Sequence, residues 1–324
     1  MPINFKGRSC LTLEEFASSE IHGLVEQAIY FKQLKRARLF PRNLANRNLC
    51  LIFLKPSTRT RTSFVVAAND EGAHLEIFSK EDIRFGIKES IKDIARVLGR
   101  MFDGIAFRGF DHAVAVELAK HSGVPVWNGL TDEHHPTQAL ADLMTIKEEF
   151  GRIAGIRVAY IGDGRNNMVT SLIIAAARMG VDLRIVAPKP LHPSAELVAR
   201  YTASEAHPLS RITVTTDIET GVRDCEVVYN DVWVSMGEEA LIRSRIDMLR
   251  GYKVTGSIMR ATGRPDTIYM HCLPSLHDME TEFAREYPDA LDVSDDVFEG
   301  SSSRVFEQSE NRMHTIKALM VSTV

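Results

Sequence analysis

The chain has 324 residues, 44% of them apolar and 25% charged, with a formal net charge of −4. That length is more than one core needs and suits two domains. The acidic balance argues against a polyanion such as nucleic acid as partner, and apolar runs such as LIIAAARMGV (172–181) are too short to span a bilayer. The first residues, MPINFKGRSCLTLEEF, lack the basic start and apolar core of a secretory signal. Four cysteines, at 10, 50, 225 and 272, form no CxxC pair. Together these features fit reduced thiols in a cytoplasmic protein with no membrane partner.

In chain order, short apolar runs alternate with longer helical patterns. The predicted strands are LCLIFL (49–54), HLEIFS (74–79), GIAFRG (104–109), VPVWNG (124–129), RVAYIGD (157–163), DLRIVAP (182–188), ITVTTD (212–217), VVYNDV (227–232) and IYMHCLP (268–274). Amphipathic stretches such as ESIKDIARVLGRMF and HPTQALADLMTIKEEFG lie between them. Such alternation predicts an α/β fold of two doubly wound, mostly parallel sheets. A junction is expected near 148–155, giving domains 1–150 and 151–307. The closing stretch, ENRMHTIKALMVSTV, reads as an amphipathic helix (Met313, Ile316, Met320) that returns over 308–324 to the first domain.

Polar clusters sit at the carboxyl ends of the strands, where such sheets bind ligands. After the first strand, Ser57-Thr58-Arg59-Thr60-Arg61-Thr62-Ser63 packs five hydroxyls and two arginines into seven residues, ahead of a helical SFVVAANDEGAHL. A turn of donors before a helix N-terminus suits an anion, and arginine adds a planar fork for phosphate or carboxylate. Gly162-Asp163-Gly164-Arg165-Asn166-Asn167 has Asn167 where a dinucleotide fingerprint needs its third glycine, and the next strand ends in Ala187-Pro188-Lys189 without the ribose-binding acid. A nicotinamide cofactor is therefore not expected, and Asn167 reads as a polar contact for another ligand. His134 and His135 lack a further ligand at metal-site spacing. His135 with Gln138 reads instead as two donors at a helix start, facing a carbonyl or amide. Asp231, at a strand end before Ser235-Met236-Gly237, suits an ammonium, and Cys272 is a candidate nucleophile or orienting thiol.

In this order the segments STRTR, FRG, HPTQ, GDGRNNM, DVWVSMGE, HCLP and ENRMHTIKALM resemble the aspartate/ornithine carbamoyltransferase family over essentially the whole chain. STRTR and HPTQ mark the wider family; the SMG loop and HCLP point to its ornithine branch. The resemblance implies carbamoyl transfer from carbamoyl phosphate to L-ornithine, in a cleft between two domains of a homotrimer, with neither metal nor organic cofactor. It implies arginine metabolism as the setting. By the same likeness Ser57, Thr58, Arg59 and Thr60 cradle the phosphate. Arg108, His135, Gln138, Cys272, the backbone at Leu273 and Arg312 surround the carbamoyl group. Asn167, Asp231, Ser235 and Met236 hold ornithine. Arg108, His135, Asp231 and Cys272 are the expected catalytic set. One position departs from the family: Arg84, in EDIRFGIKES, stands where a Gln or His usually reaches carbamoyl phosphate from the neighbouring subunit. An arginine there would change affinity for the substrate or for phosphate-bearing inhibitors.

Overall fold

Each of the nine apolar runs becomes a β-strand in the computed structural model, which describes residues 4–83, 85–202, 207–234 and 239–324. Among those residues α1 (Ser18–Arg36) precedes β1 (Asn48–Phe53), α2 (Thr58–Asp70), β2 (His74–Ser79), α3 (Ile91–Met101), β3 (Gly104–Arg108), α4 (His112–Ser122), β4 (Val126–Leu130) and α5 (Pro136–Phe150). Next come β5 (Arg157–Ile161), α6 (Asn167–Met179), β6 (Asp182–Val186), α7 (Ala195–Thr202), β7 (Arg211–Thr215), α8 (Ile218–Val222) and β8 (Val227–Asn230). The chain ends with α9 (Ile242–Leu249), α10 (Gly256–Ala261), β9 (Ile268–His271), α11 (Glu282–Glu286), α12 (Asp295–Phe298) and α13 (Val305–Thr323). It forms two compact units, 1–148 with 310–324, and 149–309.

In the first unit the sheet order is β2-β1-β3-β4, every pairing parallel. Leu49, Cys50, Leu51 and Ile52 are all fully buried, so both faces of β1 are covered, as a parallel strand with crossover helices requires. On one face Cys50, Ile52, Ile105 and Phe107 pack with Ala95 and Leu98 of α3 and with Ala115 and Leu118 of α4. The chain leaves β1 for β2 on one side and β3 on the other, so the carboxyl ends of β1 and β3 flank a topological switch point.

The second unit repeats the plan with a parallel sheet of order β7-β6-β5-β8-β9. Its switch point lies between β5 and β8. Gly164, in the loop after β5, sits so near Leu191 that a Cβ would come within 2.7 Å of that carbonyl oxygen, so the loop needs glycine there.

Two expectations are corrected. Helix α2 begins at Thr58, not at Ser63, so the hydroxyl-rich segment forms its first turns. Ser57 takes the extended N-cap conformation, and the Ser63 hydroxyl donates to the Arg59 carbonyl at 2.8 Å, which removes its competition with the helix backbone. Helix α13, expected to bury one apolar stripe, begins at Val305 and over 311–323 is buried almost all round. Its polar side chains are paired: Asn311 Nδ2 donates to Thr145 Oγ1 at 3.0 Å, and Lys317 Nζ donates to Asp70 Oδ2 at 2.7 Å.

Candidate functional site

In the first unit three strand ends deliver the candidates. β1 leads to Ser57 and the start of α2, β3 ends on Arg108, and β4 leads to His135 before α5. Ser57 makes no side-chain capping bond, so no Ser57 oxygen takes a first-turn N–H of α2. Thr58 is exposed and Arg59 half-buried at that terminus. Arg108 is buried and donates from Nη1 to Thr60 Oγ1 at 3.4 Å and to the Gly129 carbonyl at 3.3 Å. These bonds fix the guanidinium beside the Thr60 hydroxyl. His135 is buried too, with Nδ1 3.3 Å from the Thr137 hydroxyl. Burial first, then the charges of Arg312 and Arg108, push its imidazole well below the ordinary histidine range. It is therefore neutral at pH 7, and the three side chains form one electrostatic cluster.

Gln138 corrects an expectation. Its Nε2 donates to Asp142 Oδ1 at 2.8 Å, and its buried Oε1 has no hydrogen-bond partner among the described residues. It offers an acceptor, where a donor was expected. His134 turns its ring edge-to-face against His112, with centroids 4.7 Å apart.

In the second unit β8 and β9 end side by side on Asp231 and Cys272. The Cys272 thiol donates to Asp231 Oδ1 at 2.9 Å, and the Val232 N–H reaches the same oxygen at 2.8 Å. Asp231 is buried, which raises its carboxyl above the ordinary aspartate range, against the lowering effects of His271 and Cys272. Leu273 sits at φ +58, and its N–H donates to His271 Nδ1 at 2.8 Å. A non-glycine residue in the left-handed region at a strand end marks a backbone held by its surroundings. Here the fully buried Asp292 accepts from Ser275 Oγ at 2.8 Å and from the Leu276 N–H at 2.9 Å. Asn167 opens α6, half-buried. The other cysteines are buried, and burial pushes the Cys50 and Cys225 thiols up to about 12. Only Cys272 is accessible for chemistry among the four.

Ser235, Met236 and Arg84 lie outside the described residues. Away from all these candidates, a cavity of about 380 Å³ opens at the amino-terminal ends of the first sheet's strands, lined by Lys6, Arg47, Arg100 and Asp103 among others.

Sequence and fold comparison identifies both units of the chain. Residues 8–148 match the model of the aspartate/ornithine carbamoyltransferase carbamoyl-P binding domain, and residues 154–323 that of the Asp/Orn binding domain. The chain belongs to the aspartate/ornithine carbamoyltransferase family. A relative in Pseudomonas syringae pv. actinidiae, "Ornithine carbamoyltransferase 2, phaseolotoxin-insensitive", is 58% identical over 99% of this chain and 98% of its own length. One in Bacillus licheniformis, "Ornithine carbamoyltransferase, catabolic", is 48% identical over the same shares. The solved ornithine carbamoyltransferase of Pyrococcus furiosus superposes with a TM-score of 0.88 at 36% identity, covering 99% of this chain and 98% of that one.

Seen as a member of this family, the chain carries residues around its candidate site that the sequence reading passed over. Asn166, Tyr160, His271 and Asp292 all surround Asp231 or the Cys272–Leu273 turn. Asn166 and His271 sit inside motifs already singled out, next to Asn167 and Cys272. Asp292 carries no local signal, because it acts across 16 residues of chain.

Proposed function

We infer that the protein transfers the carbamoyl group of carbamoyl phosphate to the side-chain amine of L-ornithine, giving L-citrulline and phosphate. The observation that carries the acceptor assignment is the buried Asp231, held by Cys272 at 2.9 Å at the second switch point. An aspartate acceptor would call for cations there. The arginines of that region, Arg165 and Arg245, are instead paired with Asp163. A carboxylate suits a ligand with an extra amine.

In this reading residues 1–150 with 308–324 bind carbamoyl phosphate and 151–307 bind ornithine. The α2 terminus, with Ser57, Thr58 and Arg59, takes the phosphate dianion. Gln138 Oε1 accepts from the carbamoyl amide, and Arg312 and the Leu273 backbone complete the contacts. As the amine attacks, a C–N bond forms and charge gathers on the carbonyl oxygen. Arg108, neutral His135 and the Thr60 hydroxyl donate to that oxygen, each more strongly as the charge grows. In this scheme His135 carries its proton on Nε2, which requires the Thr137 hydroxyl, 3.3 Å away, to donate to Nδ1. The C–O bond then breaks, and phosphate leaves with the proton that the amine nitrogen sheds. The amine has to react neutral, which costs roughly 4–5 kcal/mol at pH 7 for a group of pKa about 10.4. Exclusion of water from the bound substrates lowers part of that cost, since burial disfavours the ammonium. Asn167, Ser235 and Met236 hold the rest of ornithine, and the Asp231–Cys272 pair orients it. No metal or organic cofactor enters the scheme.

We assign the protein to arginine metabolism in the cytoplasm, acting as a homotrimer. The exposed apolar side chains Ile87, Val97 and Met101 support assembly. A second reading concerns Arg84. Because the relative at 58% identity is named phaseolotoxin-insensitive, insensitivity to that inhibitor is proposed here too, with Arg84 contributing. Arg84→Gln tests it: unchanged inhibition and an unchanged KM for carbamoyl phosphate would remove Arg84 from the account.

The main test assays carbamoyl phosphate with ornithine, aspartate, putrescine and lysine in parallel, reading phosphate and ureido product together. Rapid turnover with ornithine alone is expected. Turnover with another amine would keep the chemistry and overturn the acceptor; none with any would overturn the activity.

A further inference from the structure

Asn166 is the N-cap of α6, and its Oδ1 accepts the Val169 N–H at 2.9 Å. That bond fixes which way the carboxamide faces, because a flipped amide would set two donors against each other. Nδ2 therefore points away from the helix. It donates to Tyr160 Oη at 2.7 Å and to Asp231 Oδ2 at 3.2 Å. Both amide hydrogens are used. Tyr160 is itself fully buried and donates its hydroxyl proton to the Asp163 carbonyl at 3.3 Å, so it cannot turn away. Rotating the Asn166 amide would break three hydrogen bonds together.

The consequence falls on Asp231. Its Oδ1 is taken by Cys272 and the Val232 N–H, and its Oδ2 is held by Asn166. A carboxylate has about four acceptor positions, so three are filled from within the chain and the remaining one lies on Oδ2. We propose that Asn166 is a positioning residue for the transfer reaction: its carboxamide ties Asp231 to the start of α6 and thereby sets the direction in which Oδ2 meets the acceptor's ammonium. This rests on the reading of Asp231 as an acceptor-binding carboxylate. The cap and the bridge are separable functions of one side chain, since the first uses its oxygen and the second its nitrogen.

Asn166→Ser separates them. Serine also caps a helix well but cannot reach two acceptors beyond it. The expected result is a fall of about tenfold or more in kcat/KM for ornithine, the usual effect of losing a hydrogen bond to a charged group. The KM for carbamoyl phosphate and the thermal midpoint should stay near those of the parent. A residue that only caps α6 would leave ornithine kinetics unchanged in this variant, and that outcome overturns the proposal. The same substitution in an Asp231→Ala background should add almost nothing, because the group it positions is gone; full additivity also overturns it. If Asp231→Ala itself leaves ornithine kinetics intact, the acceptor reading fails and the proposal with it, a result distinguishable from a neutral Asn166→Ser beside a crippled Asp231→Ala. Should the serine variant not fold, Asn166→Asp keeps the cap and the shape, lacks the donor, and is expected to lose more than tenfold by setting a second carboxylate against Asp231.

Discussion

The two units use one construction for opposite electrostatic ends. In each, the first strand of a parallel sheet runs into a helix at a switch point, β1 into α2 and β5 into α6. The α2 terminus has no side-chain cap, and Arg108, Arg312 and a neutral His135 gather in the same unit. The α6 terminus is capped by Asn166, whose other end grips Asp231. An uncapped terminus leaves its N–H groups and dipole for an anion from outside. At the capped one Asn166 Oδ1 already holds the Val169 N–H, and the same side chain supports a carboxylate. On the proposed reading, the difference between a phosphate site and an amine site comes down, in part, to what satisfies the first turn of one helix.

Four changes would break or sharpen this contrast. The largest effect is expected from Arg108→Leu, which removes a donor to the developing oxyanion and should lower kcat by about 10²–10³-fold. Rapid-quench turnover checks it, and ornithine affinity should be spared. Asp231→Ala comes next: losing one partner of a buried charged contact should reduce kcat/KM for ornithine by about 10²-fold or more, with the KM for carbamoyl phosphate little changed. Steady-state kinetics varying each substrate separately decides that. If both KM values rise together, the division of labour between the units is wrong.

The third change concerns pH. Burial and two arginines hold the His135 imidazole well below 6.5 in the folded state. The unfolded chain therefore takes up this proton first as pH falls. The stability linked to His135 is fully present above about pH 6.5 and is lost progressively as pH drops toward the folded value. His135→Gln should flatten that part of the stability profile, as thermal unfolding between pH 5 and 8 would register. The parent's kcat/KM for carbamoyl phosphate should likewise show no limb near pH 6.5 from this residue. The smallest effect is expected from Cys272→Ser, which keeps a donor to Asp231 Oδ1 and should cost only a few-fold in kcat/KM for ornithine, within the range of one exchanged hydrogen bond.

Much of this was legible in the sequence, for definable reasons. Strands such as β1 and β5 announce themselves as short apolar runs, because a strand buried on both faces has to be apolar along its length. The polar clusters were visible because each directly follows its strand in the chain. The start of α2 is hard to read because Thr and Ser have weak helix propensity and interrupt the stronger signal of the arginines, and the extended Ser57 backbone marks it only in the structure. The sequence singles out Asn167, and the structure adds its neighbour Asn166, which carries the bridge to Asp231. One residue of helix register separates the two, and a linear pattern does not resolve that.

What the sequence determined by itself is the alternation of strands and helices and the chemical types at their ends, since both depend on residues close in the chain. What only the tertiary structure decided is which of those groups are neutral, paired or oriented. Lys317 is buried because Asp70 reaches it from 247 residues away, and Asp231 is held by a cap 65 residues before it and a thiol 41 after. The physical reason is that hydrogen bonds and desolvation act over a few ångströms of space, whatever the distance along the chain.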